Sequence, residues 1–129
     1  MNLPEDIRVW LQRRAMQAAP YEACGFIMCD GSIVEIRNVA VNPQRGFHMD
    51  YHDMVEKLSG REEFIAGIWH THPRGTTTPS HTDLNAIKMG AVQSNWDYWI
   101  VTADGVHLYE ALRFAPQDCA FWSGFVAGV

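Results

Sequence analysis

The segment from Phe64 to Trp69 is an apolar run that is too short for a solitary helix and apolar enough for a buried strand. Two pairs of apolar segments lie elsewhere in the chain. Between the two segments of each pair is an Asp-Gly dipeptide, which favours tight hairpins. The paired segments are Cys24 to Cys29 with Ser32 to Val41, and Trp96 to Val101 with Val106 to Leu112. The sequence therefore predicts two hairpins and a further buried strand.

A helix is predicted before the first hairpin, from Leu3 to about Ala18. Asn2 and Glu5 have the spacing of a capping box, Pro4 suits a first turn, and Pro20 ends the helix. Apolar residues recur along one helical face, at Leu3, Ile7, Trp10, Leu11, Ala15 and Ala18. We expect this face to be buried.

Two more helices are predicted in the middle of the chain. A loop at Asn42 to Gly46 precedes a short polar helix from Asp50 to Leu58. Ser80 is expected to cap another helix, whose buried side uses Leu84, Ile87 and Ala91. The aromatic tail from Phe114 to Val129 is suited to docking on the core or on a neighbour. The element order predicts a mixed α/β (α+β) fold around a largely antiparallel sheet, with residues 1–129 as a single domain.

Charge and cysteine content limit the classes of partner and compartment. The chain carries 10 Lys and Arg against 15 Asp and Glu, a net charge of -5, which disfavours a broad nucleic-acid face or a polybasic membrane patch. No apolar run approaches the length of a membrane span, and the amino terminus lacks the layout of a secretion signal. Cys24, Cys29 and Cys119 are odd in number and lack C-x-x-C spacing. We therefore expect three free thiols and a cytoplasmic protein.

His70, His72 and Asp83 have the spacing of a metal site. Two histidines two positions apart on extended backbone project to the same side, so both rings can reach one ion. Asp83 lies just inside the predicted helix and joins them if the intervening loop folds back. Two nitrogens and one oxygen leave a tetrahedral zinc ion with an open position for water, which is the pattern of catalytic sites. Such a site needs a base, and Glu22 is the candidate, although spacing alone does not bring it to the metal.

Two segments carry a resemblance to a known family. The stretch from Pro20 to Phe26 and the pattern from His70 to Asp83 resemble the JAMM (MPN-plus) metalloproteases, zinc-dependent deubiquitinase-like enzymes with bacterial, archaeal and phage relatives. Arg45 to Asp50 is similar to the segment before the short helix in compact prokaryotic members. The resemblance implies a mostly antiparallel, curved sheet flanked by helices.

The resemblance also implies roles for individual residues. His70, His72 and Asp83 would hold one zinc ion per chain. Glu22 would hold and deprotonate a water molecule, and Ser80 would donate a hydrogen bond to the oxyanion. The physical logic agrees, because a base and an oxyanion donor beside a metal ion suffice for hydrolysis without a covalent enzyme intermediate.

Plainer explanations exist for each residue taken alone. Ser80 and Asp83 have the spacing of an ordinary helix cap, and a glutamate such as Glu22 beside a strand is usually a solvated or ion-paired carboxylate. Cys24 enters an apolar strand, where a small buried hydrophobe is more common than a nucleophile. His48 and His52 are candidates for the edge of a substrate cleft.

The function expected from the resemblance is zinc-dependent hydrolysis of a peptide or isopeptide bond at the C-terminal tail of a ubiquitin-like or other small protein. The alternatives are a processing peptidase of phage tail assembly, which would be virion-associated, and a non-catalytic scaffold of the same fold. The expected partner is a protein or peptide substrate, with no nucleic acid and no membrane. The formation of homo-oligomers stays open.

Overall fold

The computed structural model describes residues 3–90, 92–93 and 96–109. These residues form three α-helices, one 3-10 turn and five strands. In chain order they are α1 (Glu5–Ala18), β1 (Cys24–Met28), β2 (Ile33–Ile36), α2 (Tyr51–Leu58), the turn Glu62–Phe64, β3 (Ile65–Thr71), α3 (His81–Lys88), β4 (Asp97–Thr102) and β5 (Gly105–Leu108). None of the helices described combines the length and the apolar character that crossing a membrane requires.

The strands form one sheet in the order β2-β1-β3-β4-β5. Both predicted hairpins are present, and β1 also pairs with β3 in the antiparallel sense. β3 and β4 are parallel, so the chain between them must cross over the sheet, and α3 lies in that connection. The expected mixed fold, a largely antiparallel sheet flanked by helices, is therefore confirmed.

Each face of the sheet has its own core. The α1 face buries Ile7, Leu11 and Ala15 of the helix against Trp69 and its neighbours, and the other face buries Ile68 and Tyr98. Trp69 and His70 are consecutive residues of β3, so their side chains point to opposite faces. This alternation puts the tryptophan in the α1 core and leaves the histidine for the other side.

The ends of the helices differ from the predictions in detail. α1 begins at Glu5 with Pro4 at its N-cap and no side-chain cap, so the predicted capping box, with Asn2 at the cap, is wrong. Trp10 is 42% exposed, because it lies at the margin of the helix face and meets Trp69 edge-on at 6.0 Å. On α3 the buried residue is Asp83, whereas Leu84 and Ile87 are half-buried. The predicted contact of Ala91 falls outside the described residues.

The cysteines also differ from the prediction. Cys24 is a buried free thiol, but Cys29 is disulfide-bonded. The expectation of three free thiols is therefore wrong at Cys29, because spacing along the chain carries no information on distances between strands and distant segments. Cys119 and the aromatic tail from Phe114 to Val129 lie outside the described residues.

Candidate metal centre

The two histidines lie where β3 ends. His70 is fully buried, His72 is 7% exposed, and their Nε2 atoms are 2.9 Å apart. The backbone N–H of His72 donates to the carbonyl of Val101 at 2.8 Å, so the ladder between β3 and β4 extends past the last residue of β3. The predicted same-side projection of the two rings is what the strand produces.

Asp83 reaches the histidines from the first turn of α3. Its backbone N–H donates to Ser80 Oγ at 3.0 Å, and the Ser80 N–H donates to Asp83 Oδ2 at 2.9 Å, which completes a capping box. The same Oδ2 lies 3.1 Å from Nε2 of both His70 and His72. Burial raises the pKa of Asp83, but its interactions with the two histidines outweigh burial and hold the pKa well below its usual range.

The hydrogen bond at the far side of the His72 ring fixes its tautomer. Nδ1 lies 2.8 Å from the carbonyl oxygen of Thr76, which can only accept, so Nδ1 carries a hydrogen. In the neutral ring Nε2 then carries no hydrogen, and its lone pair faces Asp83 Oδ2 and His70 Nε2. Acceptor atoms that converge in a buried space need a hydrogen or a metal ion between them, and the Nε2–H tautomer of His70, a protonated ring or a metal ion would each supply one.

The spacing of these donors suits a metal ion. Ligand atoms of a tetrahedral zinc site with bonds of about 2.0–2.1 Å lie roughly 3.3 Å apart. The separations among His70 Nε2, His72 Nε2 and Asp83 Oδ2 are 2.9, 3.1 and 3.1 Å, within a few tenths of that value. The spacing of the donor atoms of His70, His72 and Asp83 therefore fits a tetrahedral zinc ion.

His70 is held by aromatic neighbours. Phe47 stacks on its ring at 4.6 Å and Tyr98 meets it edge-on at 5.4 Å. Its Nδ1 has no hydrogen-bond partner among the described residues. Burial lowers the pKa of His70, and the hydrogen bond with Asp83 offsets part of that effect. A neutral ring clamped in one orientation is the form in which histidine binds metals.

Glu22 arrives at the site through the register of β1 against β3. Cys24 pairs with His70, and the Thr71 N–H donates to the Ala23 carbonyl at 2.9 Å, so the chain before β1 runs beside His72. Glu22 is 7% exposed, and its Oε1 has no hydrogen-bond partner among the described residues. Burial raises its pKa to about 7, against a lowering by His72 and with a further rise from Asp83.

Two overlapping donor sets share the histidines. Ligand atoms of Glu22, His70 and His72 lie within 4.8 Å of one another. Asp83 Oδ2 is nearer to both rings, at 3.1 Å. These buried residues can hold a metal ion, and the shorter distances favour Asp83 over Glu22 as the direct third ligand.

A cleft of about 170 Å³ opens over one side of this centre. It is lined by Glu22, Gln44, Arg45, His72, Pro73, Arg74, Thr76 and Ser80. Sequence analysis did not single out Gln44 or Arg74, although the Pro-x-Gly turn directly after His72 was a usable signal for Arg74. Glu22 and Ser80 are thus accessible to a molecule that enters the cleft.

The two outlying histidines lie elsewhere. His48 lines a separate cavity of about 290 Å³, which is mostly apolar and includes Asp83 in its wall. His52 lines a surface pocket with Arg37 and Asp53. Neither contributes to the lining of the cleft over Glu22 and His72.

The fold and the site together define a class: a mixed sheet whose β3 ends in a His-x-His pair, joined by a helix-borne aspartate and a buried glutamate. A family model described as prokaryotic homologues of the JAB domain (Prok-JAB) matches residues 4–122. The chain belongs to this family. The JAB-like families include zinc isopeptidases, and the Glu22, His70 and His72 cluster provides a place for a metal ion.

Two other comparisons add little to this assignment. The chain is similar to the solution structure of protein DSY2949 from Desulfitobacterium hafniense, with 23% identity and a TM-score of 0.49 over 78% of this chain and 83% of that chain. No curated protein matches it.

Proposed function

We propose that the protein is a zinc metallopeptidase that hydrolyses a peptide or isopeptide bond at the C-terminal tail of a ubiquitin-like or other small protein. The observation that carries the proposal is the convergence of His70 Nε2, His72 Nε2 and Asp83 Oδ2, at 2.9–3.1 Å. Beside them lies a carboxylate oxygen of Glu22 for which the described residues provide no hydrogen-bond partner. Metal ligands without a nearby base would suit a structural ion. Here the ligands lie beside a candidate base, Glu22, which suits a catalytic ion.

Zinc held by His70, His72 and Asp83 would polarise the substrate carbonyl and lower the pKa of water toward about 7. Glu22 is the base in this proposal. Its carboxylate takes a proton from the attacking water and later gives that proton to the leaving amine. A pKa raised to about 7 by burial allows the carboxyl group to accept and release a proton near neutral pH.

Ser80 is proposed to stabilise the oxyanion. Its Oγ accepts the Asp83 N–H at 3.0 Å, so its own hydrogen is left to donate toward the cleft that Ser80 helps to line. The cap holds the hydroxyl in place before substrate arrives. A donor fixed in this way stabilises developing negative charge without reorganisation.

The test compares four proteins after zinc loading: wild type, Glu22→Gln, His70→Ala and His81→Ala. His81 is an exposed histidine of α3 and serves as the matched control. Native mass spectrometry counts bound zinc. Activity is followed on a ubiquitin-like protein with a C-terminal peptide extension, on an isopeptide-linked conjugate of it, and on a phage tail protein fragment.

One zinc per chain is expected in wild type, Glu22→Gln and His81→Ala, and none in His70→Ala. Cleavage is expected in wild type and His81→Ala, with a loss of roughly 100-fold or more in Glu22→Gln. Zinc bound without cleavage of any substrate would indicate the non-catalytic scaffold. Failure of wild type to bind zinc would overturn the enzyme proposal.

A further inference from the structure

Two arginines, Arg45 and Arg74, line the cleft over the metal centre and are exposed. Neither forms an ion pair or a side-chain hydrogen bond with another described residue. Several other basic side chains of the described region are engaged with carboxylates. Those pairs are Arg14 with Glu35, Arg37 with Asp50 and Lys57 with Asp53. Arg45 and Arg74 differ from these three in that their guanidinium groups, at the lining of the cleft, have no carboxylate partner within the described part of the chain.

Arg45 is carried by a short loop that is tied to Glu22. The Glu22 N–H donates to the carbonyl of Pro43 at 2.7 Å. The Asn38 amide donates to the carbonyls of Glu22 and Gly46, at 2.9 and 3.1 Å. Both ends of the loop are thus hydrogen-bonded around the Glu22 backbone. These bonds position the backbone of Arg45 at the cleft that Glu22 also lines.

Arg74 is carried by a turn on a different segment. The Gly75 N–H donates to the carbonyl of His72 at 3.0 Å, which closes a four-residue turn with Pro73 and Arg74 at its centre. Proline and glycine at these positions are typical of a type I turn. Arg74 therefore stands two residues after a proposed metal ligand.

The charge in the cleft is unbalanced. Glu22 is the acidic residue in its described lining, and together with Asp83 it would neutralise a divalent ion. Two guanidinium charges then remain at a site within a chain of net charge -5. Guanidinium groups bind carboxylates through paired, charge-assisted hydrogen bonds.

We infer that Arg45 and Arg74 select substrates that carry a carboxylate close to the scissile bond. The inference rests on the proposed function in that it takes the cleft as the path of the substrate to the metal centre. The carboxylate is either an Asp or Glu side chain or the terminal carboxylate of a short C-terminal extension. A nucleic acid is disfavoured, since it requires an extended basic surface and the chain is acidic.

The test measures binding by fluorescence anisotropy of rhodamine-labelled octapeptides with an uncharged Gly, Ser and Leu sequence. Four peptides combine glutamate or glutamine at one internal position with a free or amidated C-terminus, which separates side-chain from terminal carboxylates. A labelled oligothymidylate is the nucleic-acid probe. Binding is measured on the zinc-loaded Glu22→Gln protein and on metal-free wild type, so the result does not depend on turnover.

The preferred anionic peptide is expected to bind more tightly than its neutral counterpart in both proteins, by roughly tenfold in the zinc-loaded Glu22→Gln protein and by less in metal-free wild type, where no ion neutralises Glu22 and Asp83. Introducing Arg45→Gln or Arg74→Gln should each remove part of the preference, and the double variant all of it. Arg13→Gln removes an exposed arginine of α1, away from the cleft, and should leave the preference intact. Raising the salt from about 50 to about 500 mM should weaken the preference.

Equal binding of anionic and neutral peptides, no measurable binding of the anionic peptides, tighter binding of the oligothymidylate, or a preference retained in the double variant would each overturn the inference. Failure of the proposed function would look different. In that case wild type would cleave no substrate, while the preference for anionic peptides and its loss in the double variant would still be measured.

Discussion

The carbonyl oxygen of Thr76 lies 2.8 Å from Nδ1 of His72 and turns the other ring nitrogen toward His70 and Asp83. Because Nε2 is thereby presented as a ligand, replacing His72 with alanine should weaken zinc binding by more than about 100-fold. Loss of an outer hydrogen-bond partner alone costs roughly 10–100-fold. Competition with a chromophoric chelator measures the affinity. Wild-type affinity in His72→Ala would assign the ion to other donors.

The raised pKa of Glu22 predicts a pH dependence of the stability of the metal-free protein. Its pKa is about 7 in the folded state against 4.5 as the ordinary value, so the folded protein binds the proton more tightly. The contribution of Glu22 to the free energy of unfolding should therefore fall as pH rises from about 4.5 to about 7. Glu22→Gln avoids this penalty and should be more stable than wild type at pH 8, by up to roughly 3 kcal/mol, but not at pH 4.5.

Urea unfolding of chelator-treated protein at the two pH values measures this difference. Glu63→Gln, a change at an exposed carboxylate, is the matched control and should leave the unfolding midpoint unchanged. An equal effect of Glu22→Gln at both pH values would contradict the prediction.

Ser80 has a structural and a proposed chemical role that substitutions can separate. Ser80→Ala removes the cap of α3 and should lower the free energy of unfolding by about 1 kcal/mol. Ser80→Asp keeps a capping oxygen but has no hydroxyl to donate, so it should restore stability and not activity. Denaturant midpoints and peptidase rates measure the two effects. Full activity in Ser80→Asp would remove the hydroxyl from the mechanism.

Gly67 is required by the close approach of β3 and β4. A Cβ at this position would overlap ring carbon Cζ3 of Trp99 and lie 2.7 Å from the carbonyl oxygen of Asp97. Gly67→Ala should therefore cost about 2 kcal/mol or more in unfolding free energy. At Gly46 a Cβ would meet no atom within 4 Å, so Gly46→Ala is the matched control and should change stability by less than about 0.5 kcal/mol. Similar unfolding midpoints for the two variants would show that the strands can move apart.

Cys24 is predicted to be chemically inert in the folded protein. It is fully buried, and burial, with smaller effects of Glu35 and Glu22, raises its pKa to about 12. Iodoacetamide at pH 8 should leave Cys24 unmodified in native protein and alkylate it in urea, as peptide mass mapping will show. Cys24→Ala should keep its activity. Rapid alkylation with loss of activity would support a thiol nucleophile instead.

Local features were predictable because their causes lie within a few residues. The turn between β1 and β2 forms where Gly31 takes a positive φ of 87° and the Asp30 carboxylate accepts the Ser32 N–H at 2.9 Å. His70 and His72 face one side because side chains alternate along any strand. Spacing and turn chemistry carry this information without reference to the rest of the fold.

Features set by distant parts of the chain were not predictable from spacing. Glu22 reaches the candidate metal site through the pairing of Cys24 with His70. The resemblance implied that Glu22 joins the site, whereas residue spacing did not. The disulfide at Cys29 and the exposure of Trp10 likewise depend on three-dimensional distances. Arg74 was not predictable as a site residue, because in the sequence it is one of 10 Lys and Arg residues. Its significance comes from its place in the lining of the cleft.

The parallel pairing of β3 with β4 also determines when the metal centre can form. The connection between these strands contains α3 and must cross the sheet before the His72 N–H can meet the Val101 carbonyl. Closing so long a connection is a slow step in folding, whereas hairpins close early. The donors on β3 and α3 are therefore brought together late in folding. A ribosome-bound chain that ends before β4 lacks the strand that pairs with β3 and holds the His72 backbone. A nascent chain that has not yet added β4 would therefore lack the buried, ordered set of donors that a metal ion needs.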